Sequence, residues 1–169
     1  MFSQSSPSDT PLRIGVLGGG ITGYALAISL LSPLTSSAPS RSLEVTIFEA
    51  APDRAAMGGG VQLNGGLAAL RTVLDDKSFR ELEGLCVRMR GVESYSSHNS
   101  PPGSAAARLL SLNVTDAMVR KAPELILPGD PPFASSVTVL RSTLLDFMRG
   151  AAAGLPSPPA LVPEKVRSA

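Results

Sequence analysis

Cysteine and histidine are almost missing from this chain of 169 residues: Cys86 and His98 stand alone, and there is no tryptophan. One cysteine excludes an intrachain disulfide, and a single histidine beside it excludes a Cys/His zinc site, so no metal centre is expected. A reducing compartment follows, with the cytoplasm as the expected location. Charge of either sign is also short of a surplus: Lys+Arg 15 against Asp+Glu 14 leaves a net charge of +1. No field of that size recruits nucleic acid or an anionic membrane. The chain does have enough apolar side chains for a core, 43% of its residues, unlike a disordered polypeptide.

One apolar run, from Leu12 to Leu31, is long enough to imitate a membrane span. It carries Gly15, Gly18, Gly19, Gly20 and Gly23, and the segment before it lacks the basic residues of a secretory signal. A strand followed by a tight turn is the better reading, and no membrane span is expected. Residues 1–10 are expected to be a disordered leader, 11–150 the folded domain and 151–169 a flexible tail holding Pro156, Pro158, Pro159 and Pro163.

Within the folded part, Arg13–Leu17 predicts a buried parallel strand, Ile21–Leu31 a helix stopped by Pro33, and Glu44–Glu49 a second strand. Together they make a βαβ unit with a right-handed crossover, the start of an α/β, Rossmann-like sheet. The Ser/Pro stretch 32–42 lengthens the connection. A helix is predicted from about Leu67, strands over Cys86–Ser94 and Leu109–Val114 that pair antiparallel, a short strand over Val137–Leu140 and a helix over Arg141–Arg149.

The chemistry is concentrated in Gly18-Gly19-Gly20-Ile21-Thr22-Gly23, a GxGxxG between a predicted strand and a predicted helix. Gly18 permits the turn, Gly20 lets the backbone approach a pyrophosphate, and Gly23 lets helix and strand pack closely. Amides at the helix start face the phosphates. Glu49 ends the second strand, where an acid is needed to hold ribose hydroxyls, at a spacing lengthened beyond the usual ~20 by the Ser/Pro loop. Its carboxylate repels a 2′-phosphate, which favours FAD or NAD(H) over NADP(H). The plainer alternative is a flexible glycine turn with a solvated glutamate.

The order of segments resembles the N-terminal part of the FAD-dependent aromatic-ring monooxygenases, the flavoproteins that include salicylate and 4-hydroxybenzoate hydroxylases and many fungal secondary-metabolite oxygenases. RIGVLGGGITGYALAISL followed by VTIFEAAPDR resembles the family's glycine turn and acid-ended second strand. That resemblance implies FAD contacts at Gly18, Gly20, Gly23 and Glu49. MGGGVQLNGGLAALRTVL resembles the family's next glycine-rich turn, keeping Gly58, Gly60 and Val61 but with Asn64-Gly65-Gly66 in place of Pro-Asn. VLRSTLLDFM resembles the Arg-x-x-Leu helix start whose arginine touches the flavin, which implies that role for Arg141.

The family's later Asp-Gly and Gly-Asp motifs are not found; Gly129-Asp130 precedes Arg141 and so stands in the wrong order. The resemblance therefore implies an incomplete FAD-binding sheet with part of an antiparallel β region. Its expected function is FAD-dependent monooxygenation of an aromatic or polyketide-like small molecule with NAD(P)H and O₂, by a truncated member. The alternative is a non-catalytic FAD-binding remnant, or a half-site acting with a complementing chain. A short-chain reductase fits less well, since neither Tyr24 nor Tyr95 begins a Tyr-x-x-x-Lys pair.

No catalytic side chain stands out. His98 has no neighbouring carboxylate to orient it for a Ser/His dyad, and Cys86 reads as a small buried core residue. Asp75 and Asp76 adjoin, which suits a polar helix end rather than a metal pair. Arg88 and Arg90, alternating with Val87 and Met89, read as the exposed face of a half-buried strand.

Overall fold

A computed structural model describes residues 10–32, 42–51, 59–96, 107–126 and 136–164. The expected leader, the Ser/Pro loop, Gly58, His98 and Gly129-Asp130 lie outside the described residues. The chain divides into two compact units, residues 1–59, 70–85 and 140–169 forming the first and residues 60–69 and 86–139 the second.

The first unit begins as the apolar pattern requires. β1 (Leu12–Leu17) leads through the glycines into α1 (Ile21–Leu31), and the chain returns in β2 (Leu43–Phe48). β1 and β2 pair in parallel, Ile14 opposite Val45 and Val16 opposite Ile47. Val16, Val45 and Ile47 are buried, and α1 packs over both strands through Tyr24, Ala27 and Ile28, one helical face. α3 (Asp76–Leu85) adds Phe79 and Leu82 to the core, and α5 (Arg141–Ala153) adds Leu144, Leu145, Met148 and Ala152. Asp75 starts α3 by accepting hydrogen bonds from the Ser78 amide (2.8 Å) and hydroxyl (3.0 Å). The adjoining aspartates thus mark a helix end, and among the described residues no group of three or more His, Cys, Asp or Glu could hold a metal.

Residues 151–169 depart from the expected flexible tail. α5 continues to Ala153, and β8 (Ala160–Val162) pairs in parallel with β2, completing the order β1-β2-β8. The Glu49 amide donates to the Val162 carbonyl at 3.0 Å. Pro159 and Pro163 bracket this strand without entering it, so neither removes a ladder hydrogen bond.

In the second unit β7 (Val137–Leu140) is the middle strand between β3 (Gly60–Gln62) and β4 (Val87–Arg88), antiparallel to β4. β5 (Gly91–Tyr95) and β6 (Arg108–Asn113) form a separate antiparallel ribbon, and α4 (Val114–Lys121) follows, capped by Asn113, whose side chain accepts from the Asp116 amide. α2 (Gly66–Val73) contains the boundary between the units.

The single strand expected over Cys86–Ser94 is two strands in two sheets. The Met89 amide still donates to Ser136, after which Gly91 comes so close to β6 that a Cβ there would meet the Leu112 carbonyl oxygen at 2.5 Å. Alternation was a poor guide to burial here: Val87 is 70% exposed and Cys86 only half-buried. The architecture is α/β, with a Rossmann-like parallel sheet and antiparallel β elements. Among the described residues no helix is long and apolar enough to cross a membrane.

Candidate dinucleotide-binding site

The turn after β1 is built by its glycines for separate reasons. Gly18 has φ +103°, a conformation that L side chains rarely adopt, and its amide donates to the Phe48 carbonyl at 2.8 Å. Gly23 sits where a Cβ would be 2.0 Å from the Gly18 carbonyl oxygen, so any other residue would push α1 off the turn. Gly20 is different. A Cβ there would meet nothing within 4 Å, and Gly20 is the N-cap of α1 with no side chain closing the helix start.

Open space therefore adjoins uncapped helix amides. A cavity of about 560 Å³ is lined by Gly15, Leu17, Gly18, Gly20, Ile21, Thr22, Gly23, Leu26 and Arg141, with Val16 at its base. It brings together four of the residues singled out from sequence: Gly18, Gly20, Gly23 and Arg141. Arg141 arrives as the first residue of α5, with its amide donating to the Gly59 carbonyl at 3.2 Å. A guanidinium and a helix N-terminus on one cavity are suited to an anion.

Glu49 does not line the cavity but braces its wall. One carboxylate oxygen accepts from the Gly19 amide at 2.7 Å, and the other from the Ala51 amide at 2.9 Å. These hydrogen bonds, Ala51's the larger influence, hold its carboxyl below the ordinary value of 4.5 against an opposing cost of burial. A carboxylate has about four acceptor positions, so two remain for ribose hydroxyls after the two amides are served. The donor set and the open position at Gly20 fit the ADP half of a dinucleotide.

Gly60 and Val61 lie on β3 in the second unit and line no part of this cavity. Gly60 has a local packing reason: a Cβ there would be 2.8 Å from the Thr138 methyl on β7. Sequence reasoning missed Gly15, Leu17 and Leu26 as cavity walls. The periodicity of a buried strand and helix hid them, because it marks apolar residues without telling which remain uncovered. It also missed that Gly19 serves Glu49, which the one-residue offset from the motif glycines concealed.

No protein-family model matches the sequence, and no curated protein matches it. Solved structures do. The chain is similar to 2-methyl-3-hydroxypyridine-5-carboxylic acid oxygenase, with TM-score 0.59 and 19% identity over 90% of this chain and 32% of that one. It is also similar to p-nitrophenol 4-monooxygenase PnpA from Pseudomonas putida DLL-E4, with TM-score 0.52 and 12% identity over 90% of this chain and 31% of that one. The chain folds like part of these oxygenases. This is the fold that the resemblance to FAD-dependent aromatic-ring monooxygenases implied, and the chain spans about a third of the length of the structures it matches.

Proposed function

We propose that the chain is the ADP-binding part of an FAD-dependent monooxygenase acting on an aromatic or polyketide-like small molecule. The observation that carries this reading is the cavity itself: an open Gly20 position, uncapped α1 amides and Arg141 face one space, with Glu49 clamped to the adjoining loop. In this reading the amides at the start of α1 hold the pyrophosphate, and Arg141 fixes its orientation. The remaining acceptor positions of Glu49 take the ribose hydroxyls and exclude a 2′-phosphate. Gly60 and Val61 are assigned to the rest of the cofactor by resemblance alone. When bound, FAD supplies the redox chemistry: it accepts a hydride from NAD(P)H and delivers one atom of O₂ to the substrate while the other leaves as water. No side chain of this chain is assigned a catalytic role.

A second reading, a half-site that holds FAD but turns nothing over by itself, is favoured by one observation. The chain spans only about a third of the oxygenases it resembles, so a complementing polypeptide would have to supply the remainder.

Incubation with FAD, desalting and a visible spectrum test the cofactor assignment. A retained flavin band near ~370 and ~450 nm is expected. Gly20→Val is the informative variant, because its side chain enters open space with the backbone at φ −82°, so it should fold normally yet lose the flavin. Equal retention by wild type and Gly20→Val would sink the site. A flavin-loaded chain that oxidises NAD(P)H supports the first reading, and one that does not supports the half-site.

A further inference from the structure

β1 is an edge strand among the described residues: its only neighbour is β2. The Leu12 and Gly18 amides donate to Ser42 and Phe48, so the even-numbered residues of β1 direct their backbone groups at β2. By the alternation of an extended chain, Arg13, Gly15 and Leu17 direct both N–H and C=O outward. Natural edges are usually blunted by charge, proline or a covering element. Here the only charged residue of the strand, Arg13, is paired with Glu44 on β2 at 3.0 Å, and Leu12 and Leu17 are 54% and 70% exposed. Leu26 of α1, on the cavity that borders this edge, is exposed as well.

The order of residues along the edge is self-complementary. We propose that a second copy of this chain adds its own β1 to this edge, antiparallel, about a two-fold axis through Gly15. Arg13 then stands opposite the partner's Leu17, and Leu17 opposite the partner's Arg13, each pair exchanging backbone hydrogen bonds. On the face covered by α1, Ile14 stands opposite the partner's Val16, an apolar β-branched pair. The residue on the axis must face its own copy, and it is the one without a side chain, so nothing collides there. No charge meets its own sign, and the aliphatic stem of Arg13 lies along the partner's exposed leucine. Both self-matching and closure after two copies are what an isologous dimer requires. Because Gly15 and Leu17 also wall the cavity, the partner covers its open side. The inference stands whether or not that cavity binds a dinucleotide.

Sedimentation velocity on the full chain, with Leu17→Lys and Leu17→Glu beside wild type, tests this register. Both variants place a charge on the same exposed position, so effects on folding, checked by circular dichroism, are shared. Only the partner's Arg13 distinguishes their signs. The expected result is a wild-type dimer that Leu17→Lys weakens by about tenfold or more relative to Leu17→Glu, since the pair occurs twice per dimer. Gly15→Pro, which removes an outward N–H and leaves the ladder to β2 intact, should give a folded monomer. A wild-type monomer up to about 0.1 mM overturns the proposal. So does a dimer or larger assembly indifferent to the sign at position 17.

Discussion

The βαβ unit and the β5–β6 ribbon are both written in alternating apolar and polar residues, yet they are buried to opposite extents. In the first, Val16, Val45 and Ile47 are at most 5% exposed, because α1 lies across them. In the second, every residue of both strands is exposed. Val92, Leu110 and Leu112 share one face of the ribbon, while the other carries Glu93, bonded to Tyr95, Arg108 and Ser111. An alternating pattern therefore establishes that a strand has two different faces. What lies against the apolar one depends on residues elsewhere in the chain.

The comparison can be broken at its core first. Leu144, fully buried on α5, should cost about 2–5 kcal/mol when changed to Ala, whereas Leu110→Ala in the ribbon should cost less than about 1 kcal/mol. Urea denaturation of both variants checks this, and equal losses would mean that the ribbon's apolar face is covered in solution. Next in size is the cap of α3: Asp75→Ala should cost about 1 kcal/mol, read in the same denaturation experiment.

Amide exchange sharpens the contrast without mutation. Protection of β5 and β6 should be lower than that of β1 and β2, since an isolated two-stranded ribbon is marginal in water. Ribbon amides protected as well as those of β2 would contradict it.

The smallest effect expected is on acid stability. Glu49 is held below its ordinary value of 4.5 by the Ala51 and Gly19 amides, so its folded value lies below its unfolded one. Its contribution is full above pH 4.5 and drains as the pH falls through the folded value. The stability difference between wild type and Glu49→Gln should accordingly shrink below that pH in a series of urea midpoints. An unchanged difference would mean that the two amide bonds do not favour the charged form.

Much of the first unit was legible because its signals are local. The helix Ile21–Leu31 and the two parallel strands follow from runs of apolar residues interrupted by glycine and proline, and Asp75 and Asp76 mark a helix start by chemistry that acts within a few residues. The rest was not legible because it depends on distant partners. β8 is three residues between prolines and becomes a strand only because β2 offers it an edge. The split of Cys86–Ser94 into β4 and β5 reflects a change of partner from β7 to β6.

The same division runs through the candidate site. Sequence alone determined the turn: a positive φ at Gly18 and a carbonyl 2.0 Å from any Cβ at Gly23 admit no other residue, so the motif and its geometry are one statement. Tertiary structure alone decided that Arg141 shares the cavity with that turn, that both oxygens of Glu49 are held by Gly19 and Ala51, and that β1 keeps an open edge. Backbone sterics act between neighbouring residues and can be read from them. Cavities, shared hydrogen bonds and edges exist only between segments that folding brings together.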